Sequence, residues 1–529
     1  MQPWWKNAVG YQIYIRSFFD SNNDGNGDLN GITEKLDYIK SLGVNFIWIC
    51  PFYDSPMDDN GYDIKDYYKI HEMYGEINDL KKLIKLAHEK EIKVFIDLVL
   101  NHTSDQNIWF VKSENKEEPF TDFYVWKDPK IKDGKMLPPN NWQSFFSGSA
   151  WKYSKKRKQY YLKIFSNTMP DINYENQTAF SEMEKVVDFY GKLNVDGFRV
   201  DATAHIGKDL TFKDAKNVKK SFNSFSNLPN THKYLKRFNR AFKKYDMITM
   251  GELGGEPTND DLLEYTTKKE LDMIFTFEHK YCFSKKFKIK RKKVLNSLRY
   301  KEKLSSSSGW SVLFWLNHDY PRLISKIRGE DDPKNAQLCL AGLMYMLKGT
   351  PVIYNGEEIG MSNYNFEKMS DFKDCNAKMI FENSKNPQKD FEELKELTRD
   401  HSRTVMQWNN SKFAGFSSKE PWSYVNKNYK TCNVENSLKD ENSILNNYKK
   451  LIEVRNKYSS ILINSTYKFF NKFGLMGYKI IGKNCVLNVV ANLSKKDKNI
   501  TINKEDILYS NFENCEKLKK YQVVIYKEN

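Results

Sequence analysis

The chain has 529 residues, 40% of them hydrophobic and 15% aromatic, which exceeds one ordinary domain and is ample for a large core. Its 84 basic against 68 acidic side chains give +16, yet no basic stripe interleaved with base-stacking aromatics accompanies that charge, so nucleic acid is not an expected partner. No apolar run approaches the roughly 18 residues that span a membrane. The densest basic stretch, residues 285–293, reads as the solvated side of a helix.

Strand-like and helix-like segments alternate from Val9 onward. Residues 9–15, 45–49 and 92–98 read as the first three strands, with helices over 33–42 and 79–89 between them. The early first strand leaves no room for a signal peptide. Residues 104–169, rich in Trp, Tyr, Phe, Asn and Pro without a helical period, break the rhythm and read as a small inserted domain. A helix over 180–193 restores it, followed by strands near Val195, Met247, Met273, Val312 and Pro351. A second excursion covers 361–434, and a helix over 443–457 closes the series. From residue 463 short runs alternate apolar and polar residues, the signature of an antiparallel β domain. The expected fold is therefore α/β: a (β/α)8 TIM barrel over 1–103 and 170–462, an inserted domain over 104–169 and a C-terminal β-sandwich over 463–529.

The seven cysteines, Cys50, Cys282, Cys339, Cys375, Cys432, Cys485 and Cys515, are odd in number and lack metal-type spacing, which favours reduced thiols and a cytoplasmic location.

Four of the strand-like runs end in polar clusters: Asp97 to His102, Arg199 with Asp201, Gly251-Glu252, and Asn317-His318-Asp319. Parallel strands that finish in acids, His and Arg gather those groups at one end of a barrel. Glycosidic-bond hydrolysis needs one carboxylate at the anomeric carbon and one protonated carboxyl at the leaving oxygen. Singly, each acid has a plainer reading: Asp201 paired with Arg199, Glu252 as a cap, Asp319 paired with Arg322. Jointly they read as a sugar-cleaving site. The loop from Asp20 to Asp28 places Asp20, Asn22, Asp24, Asn26 and Asp28 at alternate positions with glycines between, spacing that suits Ca²⁺ as well as a plain Asn/Gly turn.

The sequence resembles the α-amylase superfamily of glycoside hydrolases, family 13, and within it the oligo-1,6-glucosidase and α-glucosidase branch. The resemblance covers nearly the whole chain and rests on Gly10-Tyr11-Gln12-Ile13-Tyr14, the stretch Asn141 to Trp151, Gly349 to Tyr354 with Gly356 to Gly360, and Arg403 to Trp408 followed by Ala414-Gly415-Phe416. It implies Asp201 as nucleophile, kept ionised by Arg199, Glu252 as general acid/base and Asp319 as transition-state stabiliser. It implies that His102 and His318 bind hydroxyls of the cleaved sugar, that Tyr62 stacks on it, and that Phe165 lines the site. Asp63 is expected to bind a far hydroxyl and to pair with Arg403, closing the pocket beyond one glucose and making the enzyme exo-acting. The Asp20–Asp28 loop matches the branch's metal loop, with a structural Ca²⁺ held by four side chains and the Asn26 carbonyl. No organic cofactor, nucleic acid or membrane partner is implied, and a monomer acting on oligosaccharides is expected.

The motif Met169-Pro170-Asp171-Ile172-Asn173 departs from the Gln start of α-1,6-cleaving relatives, and Ala202 stands where they often carry valine. Both point to α-1,4 bonds. Leu316 and Tyr320 also depart from the usual residues, leaving the reducing-side subsites open. Oligo-1,6-glucosidase, trehalose-phosphate hydrolysis, sucrose cleavage and transglycosylation are the alternatives, and retention of all three acids argues against a catalytically inactive relative.

Overall fold

In the computed structural model, residues 3–267, 269–513 and 516–528 are described. Eight parallel strands form one sheet: β1 (Gly10–Ile13), β2 (Phe46–Ile49), β3 (Lys93–Val99), β4 (Gly197–Asp201), β5 (Ile248–Glu252), β6 (Met273–Phe275), β7 (Val312–Leu313) and β8 (Thr350–Tyr354). Their order is β6-β5-β4-β3-β2-β1-β8-β7. A parallel bridge from Ile274 to Ser311 joins the two ends, closing the expected (β/α)8 barrel.

The strands read as unbroken apolar runs because both faces are buried. Phe46, Trp48, Phe95, Met250, Phe275 and Phe314 fill the barrel interior. Ile47, Val94, Ile96, Phe198, Ile274 and Ile353 face the surrounding helices. Helices Ile77–Glu89, Gln177–Lys192 and Pro229–Lys243 present apolar stripes to that layer. Gly197 opens β4 where a Cβ would stand 2.3 Å from the Ile248 carbonyl oxygen, so only glycine lets β4 and β5 approach there.

After β3 the chain leaves the barrel through the helix Ile108–Glu114 and a small three-stranded sheet of Trp126–Lys127, Gln159–Leu162 and Trp151–Ser154. It returns where Asp171 bridges to His102. After β8, residues 361–434 carry the helices Cys375–Glu382 and Pro387–Leu397 before the helix Ile444–Asn464 packs back on the barrel.

Past that helix, a five-stranded antiparallel sheet is covered on one face by a barrel helix, Pro333–Tyr345, whose Gly342 lies against Val523. Among the described residues the other layer is a two-stranded ribbon of Lys498–Asn499 and Lys517–Leu518, not the second full sheet of a sandwich.

The basic stretch 285–293 differs from its helical reading. The helix Arg291–Ser306 begins only at Arg291, because Phe287 takes a left-handed φ of 56° and packs under the Arg328 guanidinium, 3.3 Å away.

Candidate active site

The carboxyl ends of β3, β4 and β5 and the turn after β7 meet in a cavity of about 350 Å³ lined by Tyr62, His102, Phe165, Asp201, Glu252, His318 and Asp319, among others. Arg199 and Asp201, two residues apart on β4, point to the same side. Beneath the cavity floor Arg199, 1% exposed, serves three carboxylates. Its Nη1 lies 2.6 Å from both Asp97 Oδ1 and Asp201 Oδ1, and its Nη2 lies 2.9 Å from Glu252 Oε2.

Desolvating a carboxylate costs several kcal/mol, and one guanidinium offsets that for one partner, not three. Burial accordingly raises the Asp201 pKa well above the usual carboxylate range; Arg199 opposes the rise, and the charges of Glu252, Asp97 and Asp319 add to it. Burial likewise pushes Asp97 up to about 6 despite Arg199. Arg199 is thus shared among three carboxylates rather than reserved for Asp201.

Ala202, directly after Asp201, takes a left-handed φ of 45° that ends β4 sharply. Its N–H donates to Glu252 Oε2 at 3.1 Å. A non-glycine residue in that region is strained, and the packing around it must hold it there.

His318 Nε2 lies 2.8 Å from the Tyr62 hydroxyl, and Gln12 Nε2 lies 2.8 Å from His318 Nδ1. Burial pushes both His318 and His102 down to about 3, with neighbouring cations adding to the shift, so both imidazoles are neutral. His102 Nε2 is buried without a hydrogen-bond partner among the described residues. It is therefore open to a ligand hydroxyl. Phe165 packs against His102, ring centroids 5.2 Å apart.

Two expected residues lie elsewhere. Asp63 is fully buried and does not meet Arg403; its carboxylate accepts from the N–H groups of Asp58 and Asp59, at 2.8 and 3.0 Å, and from Ser55 Oγ at 2.9 Å. Burial pushes it up to about 7. Asp63 thus braces the turn that presents Asp59, because Gly61, at φ 104°, reverses the chain between them. Arg403 sits behind Asp319, with Nη2 3.2 Å from Oδ1.

The acid and cation at the cavity wall are instead Asp59 and Arg399, joined at 2.7 Å. Arg399 also binds Asp374 and approaches Asp319 at 3.5 Å. Although burial opposes it, the guanidinium groups of Arg399 and Arg403 hold Asp319 below the usual carboxylate range. Each member of the 59/399 pair lies four residues before the member expected from sequence. Asp59 stands three before Tyr62 and so shares its turn, a placement that the sequence order alone could have suggested.

The Asp20–Asp28 loop folds around its first acid. Asp20 Oδ1 accepts from the Asn23 N–H at 2.7 Å and Oδ2 from Gly25 at 2.8 Å. Asp24 Oδ1 accepts from the Asn26 N–H at 2.7 Å, and Arg16 occupies the Asn26 side-chain oxygen, leaving that residue its carbonyl. Asp28 caps the helix Leu29–Glu34. Burial raises its pKa, and the Asp20 charge adds to the rise. Among the described residues no Lys or Arg pairs with these acids; backbone N–H groups and the Ser21 hydroxyl hydrogen-bond to them instead, and Ser417 also donates to Asp20.

A family model described as the α-amylase catalytic domain matches residues 12–464. The chain is 37% identical to an oligo-1,6-glucosidase from Bacillus cereus, over 99% of both chains. It is 39% identical to a glucan 1,6-α-glucosidase from Streptococcus pneumoniae, over 95% of this chain and 93% of that protein. A solved trehalose-6-phosphate hydrolase from Bacillus licheniformis superimposes with a TM-score of 0.90 at 37% identity, covering 99% of this chain and 100% of that one.

Proposed function

The chain belongs to the α-amylase family and is a glycoside hydrolase, and from that premise we propose a retaining, exo-acting α-glucosidase that removes single glucose units from the non-reducing ends of short α-gluco-oligosaccharides. The observation carrying the exo reading is the Asp59–Arg399 pair in the wall of a small cavity, which supports a pocket that ends there. Glu252 protonates the glycosidic oxygen as Asp201 attacks the anomeric carbon, so the carbon–oxygen bond breaks while a glycosyl-enzyme ester forms. Water, deprotonated by Glu252, then cleaves that ester. Asp319 stays ionised and stabilises the oxocarbenium-like transition state, while neutral His102 and His318 bind hydroxyls.

We take α-1,6 bonds as the first reading, because the oligo-1,6-glucosidase and glucan 1,6-α-glucosidase relatives are named for that linkage. The α-1,4 preference expected from Ala202 and Met169 finds no support in those relatives. It stays as the second reading on one observation: the small Ala202 lines the cavity beside Asp201 and leaves room for a sugar held close. A phosphorylated substrate is disfavoured, since Arg399, the one Lys or Arg lining this cavity among the described residues, is already committed to Asp59 and Asp374. Initial rates on isomaltose, maltose, trehalose 6-phosphate and starch test all of this. Faster cleavage of maltose replaces the first reading with the second, and internal cuts in starch end the exo reading. Ala202→Val should raise the isomaltose-to-maltose ratio by about tenfold, the scale of methylene-sized discrimination.

The Asp20–Asp28 loop is proposed to hold a structural Ca²⁺ through Asp20, Asn22, Asp24, Asp28 and the Asn26 carbonyl. No helix among the described residues is long and apolar enough to cross a membrane. Six described cysteines are unpaired, which supports a reducing, cytoplasmic setting; Cys515 lies outside the described residues. We further propose a monomer with no nucleic-acid or membrane partner.

A further inference from the structure

Two consecutive residues at the start of the helix Cys375–Glu382 reach the Asp59–Arg399 pair that lines the cavity. Its N-cap, Asp374, binds Arg399. Its first residue, Cys375, directs its thiol at Asp59, with Sγ 3.2 Å from Oδ1. Arg399 Nη2 donates to that same oxygen at 2.7 Å. Asp59 and Cys375 are 3% and 5% exposed, so water does not compete for either contact. With two donors on Oδ1, the carboxylate of Asp59 is fixed in rotation about its terminal torsion, which is otherwise broad. Oδ2 is then the oxygen that the cavity can use.

We propose that Cys375 is a positioning residue for the terminal glucose: its thiol and Arg399 together aim the second oxygen of Asp59 at a sugar hydroxyl. The inference rests on the reading of Asp59 as part of the glucose-binding end. Burial and the neighbouring Asp59 raise the thiol's pKa well above its ordinary value, so it is a protonated donor and not a nucleophile. A thiol is a weak donor that directs the acid without consuming its charge. Valine fills a similar volume and cannot do this, whereas serine can.

The experiment compares Cys375→Val, Cys375→Ala and Cys375→Ser with Asp59→Asn, measuring kcat, KM and inhibition by free glucose on the full chain, with melting curves for each. The expected result is a rise of about fivefold to tenfold in KM and in the glucose inhibition constant for Val and Ala, with kcat changed less, and return to within about twofold for Ser. Ser as impaired as Val, or Val and Ala with KM and glucose inhibition unchanged while Asp59→Asn loses both, overturns the role of Cys375. If Asp59→Asn itself leaves KM and glucose inhibition intact, the glucose-end reading fails and the proposal with it. If Val and Ala both fail to fold, KM for Ser equal to wild type together with weaker glucose binding in Cys375→Thr, whose extra methyl tilts the donor, supports the proposal; unchanged glucose binding in Thr opposes it.

Discussion

Two clusters of buried carboxylates face each other across the cavity, and they differ in cation count. Asp97, Asp201 and Glu252 share one guanidinium, that of Arg199. Asp59, Asp319 and Asp374 share two, those of Arg399 and Arg403. Burial penalises carboxylates in both clusters, and the guanidinium groups oppose that penalty unequally. On the cation-poor side burial raises Asp201 and Asp97, whereas on the cation-rich side Arg399 and Arg403 hold Asp319 and Asp374 below the usual range, although burial still raises Asp59. The Asp20–Asp28 loop extends the comparison to a third cluster, whose acids pair with no protein cation among the described residues and for which a cation from solution is the proposal.

The largest expected effect breaks the first cluster. Asp201→Asn should lower kcat by about 10⁴-fold or more, while relieving the crowding around Arg199. A carboxyl whose folded pKa is raised contributes stability that is lost as pH rises through that pKa. The variant's Tm should therefore equal or exceed wild type at neutral pH, and exceed it more at higher pH. A lower Tm throughout would show that Arg199 does neutralise the cluster.

Breaking the second cluster is the next step. Arg399→Met removes one of the cations holding Asp319 below its usual range, so the acid limb of the kcat/KM profile should move to higher pH. Asp319 and Asp374 contribute stability above their unfolded pKa that is lost as pH falls through the folded one, and in the variant that loss should begin at higher pH. Leaving Asp374 without its main partner should cost about 3–5 kcal/mol, the scale for breaking a buried pair. An unshifted acid limb would mean that Arg403 alone sets the charge of Asp319.

The third cluster should give the smallest effect. At a hundredfold excess over its Kd, a cation bound only to the folded state stabilises by about 2.7 kcal/mol. Chelation should therefore lower Tm by about 2 °C in a chain of this size and leave kcat at 25 °C nearly unchanged. Identical melting curves with chelator and with excess Ca²⁺ would identify the loop as a plain turn.

The barrel was legible because strands buried on both faces leave unbroken apolar runs, and a polar cluster at the end of such a run has only the cavity to enter. Asp201, Glu252 and Asp319 could be brought together on that ground before any coordinates. Asp59 and Arg399 could not. Which of Asp59 and Asp63 faces the cavity is decided by the φ of 104° at Gly61, and which of Arg399 and Arg403 does so by the short 3-10 turn Arg399–His401. Both choices depend on a local reversal that residue type does not declare. Phe287 hides a similar reversal inside a stretch whose charges looked helical.

Asp59 and Arg399 are 340 positions apart in the chain. Translation at roughly 5–20 residues per second separates their appearance by about 20–70 s. Once Glu252 has been made, a nascent chain holding Asp201 and Glu252 still lacks the Asp59–Arg399 pair until residue 399 appears. A product ending before residue 399 should never form that pair.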